Sequence, residues 1–266
     1  MIIDFHTHIF PDKIAGKTIE RLEQLSSIKA STNGTLEGLL ASMERTGVDL
    51  SVIMPVATKP SQMESINMYA KEVCEKYPGK LISFGGIHPD CEDYKKELKH
   101  IKELGLKGIK IHPDYQGVMI DDTRFMNIID YASEIGLIIL THAGIDIGLP
   151  EKVHCPPDRM RKVIEKIKPE KLIVAHYGGW KQWQEVYDYL AGENVYLDTA
   201  FTFDYIDKEM FLKILQKHSA DKILFATDSP WSYALRDIES VKSMLSDESI
   251  KQKIFSENAK KLLEIK

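Results

Sequence analysis

Two hydrophobic periods take turns along this chain. Short runs rich in Ile, Val and Leu alternate with stretches in which apolar residues recur every three or four positions. The short runs predict β-strands at Ile2–His8, Leu50–Pro55, Leu81–His88, Lys107–His112, Leu137–His142, Leu172–His176, Asn194–Thr199 and Lys222–Asp228. The longer stretches predict amphipathic helices between them. Leu36, Leu39, Leu40 and Met43 fall on one helical face. Ser61 and Glu64 are spaced as a capping box ahead of Met63, Ile66, Ala70 and Val73, and Tyr77-Pro78-Gly79 ends that helix. Met160, Val163, Ile164 and Ile167 repeat the pattern, as do Ile238, Val241 and Leu245. An extra helix is expected within Ile14–Ala30.

Strands alternating with single helices imply parallel pairing. Eight such units predict an α/β fold closed as a (β/α)8 TIM barrel. The 266 residues suit one such barrel, and no linker or break in composition divides them, so residues 1–266 read as a single domain. A net charge of −5 gives no electrostatic footprint for nucleic acid or anionic membrane. No apolar run is long enough to span a bilayer, and no signal peptide opens the sequence. Cys74, Cys91 and Cys155 are scattered, which fits a reducing, cytoplasmic setting and excludes a disulfide framework. The expected partner is a small-molecule substrate; a homodimer is compatible with these features.

The histidines change the picture. Of nine, His6, His8, His88, His112, His142 and His176 stand at or just past the end of an expected strand. In a barrel these ends form one rim. On a regular strand Asp4, His6 and His8 share a face, and imidazoles two apart, roughly 6–7 Å between Cβ atoms, can bridge one cation. The same parity turns Lys110 and His112 inward. Taken singly, His142 reads as a core histidine bonded to backbone, and Asp228 as a helix cap before Ser229-Pro230.

The ordered stretches Asp4-Phe-His6-Thr-His8, Gly108-Ile-Lys110-Ile-His112-Pro113, Thr141-His142-Ala-Gly144, Ala175-His176-Tyr-Gly-Gly179 and Thr227-Asp228-Ser-Pro-Trp231 resemble the amidohydrolase superfamily. The resemblance is to its compact branch, which includes aminocarboxymuconate-semialdehyde decarboxylase, and no β-sandwich domain is appended here. It implies that His6, His8, His142 and Asp228 bind a divalent metal, Zn2+ first, with one or two ions per chain. Imidazoles plus a carboxylate suit that ion. It further implies that Asp228 acts as general base on an activated water, and that His176 polarises the substrate or serves as a metal ligand. Lys110 has three readings: carboxylated and bridging two metals, binding a substrate carboxylate, or paired with an internal acid such as Asp4. The expected activity is hydrolysis of a small ester, lactone or amide; the alternative is non-oxidative decarboxylation at the same metal site. Ala143–Pro157 is expected to form a lid, and Tyr115, Trp180, Phe201, Phe203 and Trp231 to lie on the rim. Arg124 and Arg159 are expected in surface salt bridges.

Overall fold

The computed structural model describes residues 1–265. Its strands are β1 (Ile3–Thr7), β2 (Leu50–Ile53), β3 (Leu81–Ser83), β4 (Gly85–Gly86), β5 (Gly108–Ile111), β6 (Ile138–Thr141), β7 (Leu172–Val174), β8 (Tyr196–Asp198) and β9 (Ile223–Leu224). All pair in parallel, β1 to β3 in one run and β4 to β9 in another. β3 and β4 are one expected strand interrupted at Phe84, whose N–H donates to Ile53 O at 3.0 Å. The ring closes where the chain beyond β9 meets β1: Phe5 N donates to Phe225 O, Asp228 N to His6 O and His8 N to Ser229 O. This is a TIM barrel, as the two periods implied.

Helices cover the outside: α1 (Asp12–Ser26), α2 (Leu36–Thr46), α3 (Met63–Lys76), α4 (Tyr94–Glu103), α5 (Pro113–Gln116), α6 (Thr123–Glu134), α7 (Pro157–Ile167), α8 (Trp183–Tyr189), α9 (Lys208–His218), α10 (Ala234–Met244), α11 (Glu248–Gln252) and α12 (Asn258–Leu263). The extra helix expected in the first connection is α1. Ser61 and Glu64 do not form the expected capping box. Gln62 instead accepts from Thr58 N and Lys59 N, fixing a 3-10 turn that leads into α3. Its longer side chain reaches back over a turn that already starts at Pro60.

Alternate strand residues face in and out. Leu50, Val52, Phe84, Ile138, Leu140, Ile173, Tyr196 and Leu224 fill the barrel, while Ile53, Ile109, Ile111, Ile139, Val174 and Leu197 pack against helices. Burying each such side chain contributes about 1.5–3 kcal/mol. α12 adds Ala259, Leu262 and Leu263 to the inner cluster. Asn258 Nδ2 donates to Ala220 O and Ile223 O at the start of β9, so this helix plugs the end opposite the rim.

One strand breaks the alternation. The register of β1 against β2 shifts between Asp4 and Thr7. Ile3 and Phe5 join the barrel interior, and Asp4 faces Leu39, Ser42 and Met43 of α2 and Ala234 of α10. Asp4 therefore does not share a face with His6 and His8 and is no partner for Lys110. A β-bulge places two consecutive side chains on one side of a strand. The Asp4 carboxylate stabilises it, accepting from His6 N at 3.3 Å, Thr227 N at 3.0 Å and Thr227 Oγ1 at 2.6 Å. Burial pushes Asp4 up to about 7. No helix among the described residues is long and apolar enough to cross a membrane.

Candidate functional site

At the rim, the bulge in β1 carries His6 inward and His8 follows at the strand end. Asp198, last residue of β8, sets the orientation of His6: its Oδ2 accepts from His6 Nδ1 at 2.9 Å. Its Oδ1 accepts from His176 N at 2.9 Å and Ala200 N at 3.1 Å. The proton on Nδ1, assigned from these partners, leaves a lone pair on His6 Nε2. That nitrogen faces Lys110 Nζ at 3.1 Å, His8 Nε2 at 3.2 Å and Asp228 Oδ1 at 3.4 Å. His8 Nε2 lies 3.0 Å from the same Asp228 oxygen. Asp228 adopts a left-handed backbone, φ 67°, which costs a non-glycine residue of order 1 kcal/mol and aims its carboxylate at the imidazoles.

These donors fit a divalent cation. Bonds of about 2.0–2.2 Å in tetrahedral or octahedral geometry set ligand atoms roughly 3.0–3.4 Å apart, and the three contacts among His6, His8 and Asp228 span 3.0–3.4 Å.

Charges at this corner are strongly perturbed. Burial, reinforced by Lys110, drives His6 well below its ordinary value, so its ring is neutral. Burial brings Lys110 down to about 8, opposed by Asp228 and Asp198. Burial alone would raise Asp228; His6 and His8 outweigh it and hold the carboxyl below its usual range. Asp198 is raised by burial.

A second cluster lies farther round the same rim. His142, after β6, and His112, after β5, stack with centroids 4.1 Å apart and rings 9° from parallel. His142 Nδ1 lies 2.9 Å from His176 Nε2, and His176 Nδ1 lies 3.0 Å from Ala200 O. A carbonyl only accepts, so His176 Nδ1 is assigned the proton donated to Ala200 O, and His176 Nε2 is assigned as acceptor of the His142 Nδ1 proton. His142 is then left with a lone pair on Nε2, and that atom has no hydrogen-bond partner. Its neighbours are Asp114 Oδ2 at 3.8 Å and Asp146 Oδ2 at 3.9 Å. Burial and the charge of Asp114 raise Asp146 to about 6. The structure thus groups His6, His8, Asp228 and Lys110, and places His142 with His112 and Asp146; His176, whose ring centroid is 5.5 Å from that of His6, stands between.

Both clusters line one cavity of about 940 Å3, which runs out between α1 and α3. Its walls include Ile9, Met54, Pro55, Ile145 and, among the expected rim aromatics, Tyr115, Trp180, Phe201 and Trp231. Phe203 is not among them: it packs in the helical layer 5.7 Å from Phe211. The start of the expected lid is pinned. Gly144 N donates to Cys155 O, Ile145 N to Trp180 O and Trp180 N to Ala143 O. Gly144 has φ 82°, and a Cβ there would meet Trp180 N at 2.1 Å, so only glycine permits this approach. His88 turns away from the cavity and accepts from Asp90 N at 3.1 Å. Arg124 pairs with Asp90 and Asp122, and Arg159 with Asp121, at the surface.

Sequence reasoning missed Asp198, Asp114 and Asp146. Asp198 was visible in principle, because it lies next to the end of the seventh expected strand, Asn194–Thr199, with the inward parity of Tyr196.

Known structures share this architecture. An uncharacterized TIM-barrel protein from Bordetella bronchiseptica is 18% identical over 99% of this chain and 98% of its own, with a TM-score of 0.80. A 5-carboxyvanillate decarboxylase from Novosphingobium aromaticivorans, solved with manganese and 4-hydroxy-3-methoxy-5-nitrobenzoic acid, is 16% identical over 100% of this chain and 96% of its own, with a TM-score of 0.73. A 2,6-dihydroxybenzoate decarboxylase from Rhizobium is 13% identical over 99% and 98%, with a TM-score of 0.72. No curated protein matches the chain. The amidohydrolase family profile matches residues 3–265, and the chain belongs to that family of enzymes.

Proposed function

We propose that this enzyme removes CO2 from a small aromatic or unsaturated carboxylic acid without oxidation, using one divalent metal held by His6, His8 and Asp228. The observation that carries the reading is the make-up of its cavity: metal-ligating donors and the buried Lys110 at the floor, apolar and aromatic side chains along the walls. A planar acid fits such a site, with its carboxylate toward the cationic floor and its ring against Trp180, Phe201 and Trp231. The decarboxylases of similar fold support decarboxylation over the hydrolysis expected from the motifs alone. Imidazole and carboxylate donors suit Zn2+, and the manganese in one such structure supports Mn2+ as well.

The metal supplies Lewis-acid polarisation and positive charge. The chain supplies the rest. Lys110 Nζ has no carboxylate within 4 Å among the described residues and lies 3.1 Å from His6 Nε2; with that nitrogen on the metal, the ammonium is freed for the substrate carboxylate. The apolar walls exclude water and favour loss of charge as neutral CO2 departs. The carboxyl–carbon bond breaks, its electron pair stays on the ring or alkene carbon, and that carbon takes a proton delivered by Asp228 from solvent at the His6–His8 corner. Net, R–COO⁻ and H⁺ become R–H and CO2.

The test is a panel of hydroxybenzoic and unsaturated acids, with trapped CO2 as readout, run beside a panel of esters, lactones and amides. Metal-dependent CO2 release supports the proposal. Acid release from the second panel with no CO2 from the first would refute it in favour of hydrolysis.

A further inference from the structure

The cavity is larger than a single aromatic ring needs. Its volume of about 940 Å3 lies near the top of the range, about 300–1,000 Å3, that holds drug-sized ligands. The excess is an arm between two helices. Ile14, Lys17, Thr18, Arg21, Leu22 and Leu25 line it from α1, and their spacing by threes and fours puts them on one face about 16 Å long. Gln62, Ile66, Tyr69 and Val73 line it from the turn before α3 and from α3 itself. The arm meets the floor of the cavity at the loop after β6: a Cβ on Gly148 would come 3.4 Å from Tyr115 Oη and 3.8 Å from Leu25 Cβ. Its walls are apolar yet open to solvent, with Ile14 50% and Leu25 47% exposed, and Leu149 beside them 40%. Apolar surface gathered at the mouth of a cavity marks a place that a ligand covers.

The charges along this arm have one sign. Lys17 and Arg21 reach it from α1 and Lys59 from the turn before α3, and among the described residues none of the three has a carboxylate within 4 Å. The acids that line the cavity, Asp146 and Asp228, both stand at the floor. The acids of α1 stay off the wall, and Glu23 is turned to Lys29 Nζ at 2.6 Å and Ala30 N at 2.9 Å. We propose that the substrate is an acid with two anionic ends. One is the carboxylate that leaves as CO2 at the floor. The other is carried on an apolar chain along the α1–α3 arm and is held by Lys17 and Arg21. This rests on the decarboxylase reading above and narrows its substrate class from a bare ring to an elongated, amphipathic diacid. Lys17 and Arg21 are one helical turn apart, so both can meet one anionic group, and a guanidinium pairs with two of its oxygens at once. The apolar side chains between them and the floor shelter the connecting chain from water.

Isothermal titration calorimetry on the Mn2+-loaded enzyme tests this with three probes: salicylate, salicylate bearing an alkoxy chain para to its carboxylate, and the same chain ending in a second carboxylate, each chain made in a series of lengths. The chain should tighten binding about tenfold or more over the bare ring. The terminal carboxylate should add about 3–10-fold at the best length. Lys17→Ala/Arg21→Ala, two exposed positions on α1, should abolish that second gain and leave the affinity for salicylate unchanged. Equal affinities for the three probes in the wild type overturn the inference. So does a gain from the terminal carboxylate that survives the double substitution. Trapped CO2 from the same probes reads the underlying chemistry separately. CO2 from salicylate with no gain from either chain overturns this inference alone; the expected binding pattern with no CO2 from any probe supports the diacid arm and overturns only the decarboxylation.

Discussion

Two corners of one rim collect the same residue types and treat them differently. Around His6 the acids and bases answer one another: Asp198 accepts from Nδ1, Lys110 donates to Nε2, and His8 meets Asp228. Around His142 the imidazole protons go to His176 and toward Asp146, and His142 Nε2 and Asp114 Oδ2 stay unpartnered. The first corner can exist as a self-contained network, because Lys110 stands in for positive charge. The second leaves two buried acceptors without a donor. Histidine and aspartate count is thus a poor guide to what a cluster needs; the distribution of donors among them decides.

The largest predicted effect lies at the first corner. Asp228→Asn removes a metal ligand and a proton carrier together, and should lower kcat by about 10^3-fold or more. Steady-state CO2 release measures it, and a loss below tenfold would detach Asp228 from the chemistry.

Asp237 is a buried acceptor of the same kind away from the rim. Its Oδ2 is buried and unpartnered on α10, outside the cavity. A proton answers it, and burial raises the carboxyl to about 8. The folded state keeps a proton that the unfolded chain releases above about 3.9. The stability this provides is whole below that pH and is lost as pH climbs through about 8. Urea unfolding should show the wild type weakening by roughly 2–4 kcal/mol between pH 4 and pH 9 relative to Asp237→Asn. Parallel pH curves for the two proteins would contradict the protonated carboxyl.

Asp198→Asn probes what completes the first corner. It keeps a hydrogen-bond acceptor but removes the charge that fixes the His6 tautomer, and metal affinity should fall about 10–100-fold. Titration with Mn2+ reads this directly; an unchanged dissociation constant would mean that His6 needs no such orienting partner. The smallest effect is expected at the wall. Trp231→Ala should raise KM about 3–10-fold with little change in kcat, the worth of one aromatic contact, and a change confined to kcat would place Trp231 in the chemistry.

The barrel was legible because β-branched runs and helical periods alternate through the whole chain. The inward turn of Lys110 and His112 followed from parity, and their cavity contacts agree. Parity failed at Asp4 for a definite reason. The pattern Ile-Ile-Asp-Phe-His reads the same with or without a bulge, and the bulge depends on Thr227, more than two hundred residues away. Asp114 and Asp146 were hidden by their setting. Acids in turns after strands are common, and nothing local shows that His154 and Gly148 each occupy one oxygen and leave the other aimed at His142. Phe203 looked like its neighbour Phe201, yet the loop turns one ring to the cavity and the other to Phe211.

Crystals grown with Mn2+ and measured at an anomalous wavelength test the catalytic assignment most directly. The account predicts a peak about 2.0–2.3 Å from His6 Nε2, His8 Nε2 and Asp228 Oδ1. A map with no peak among those three atoms would contradict it.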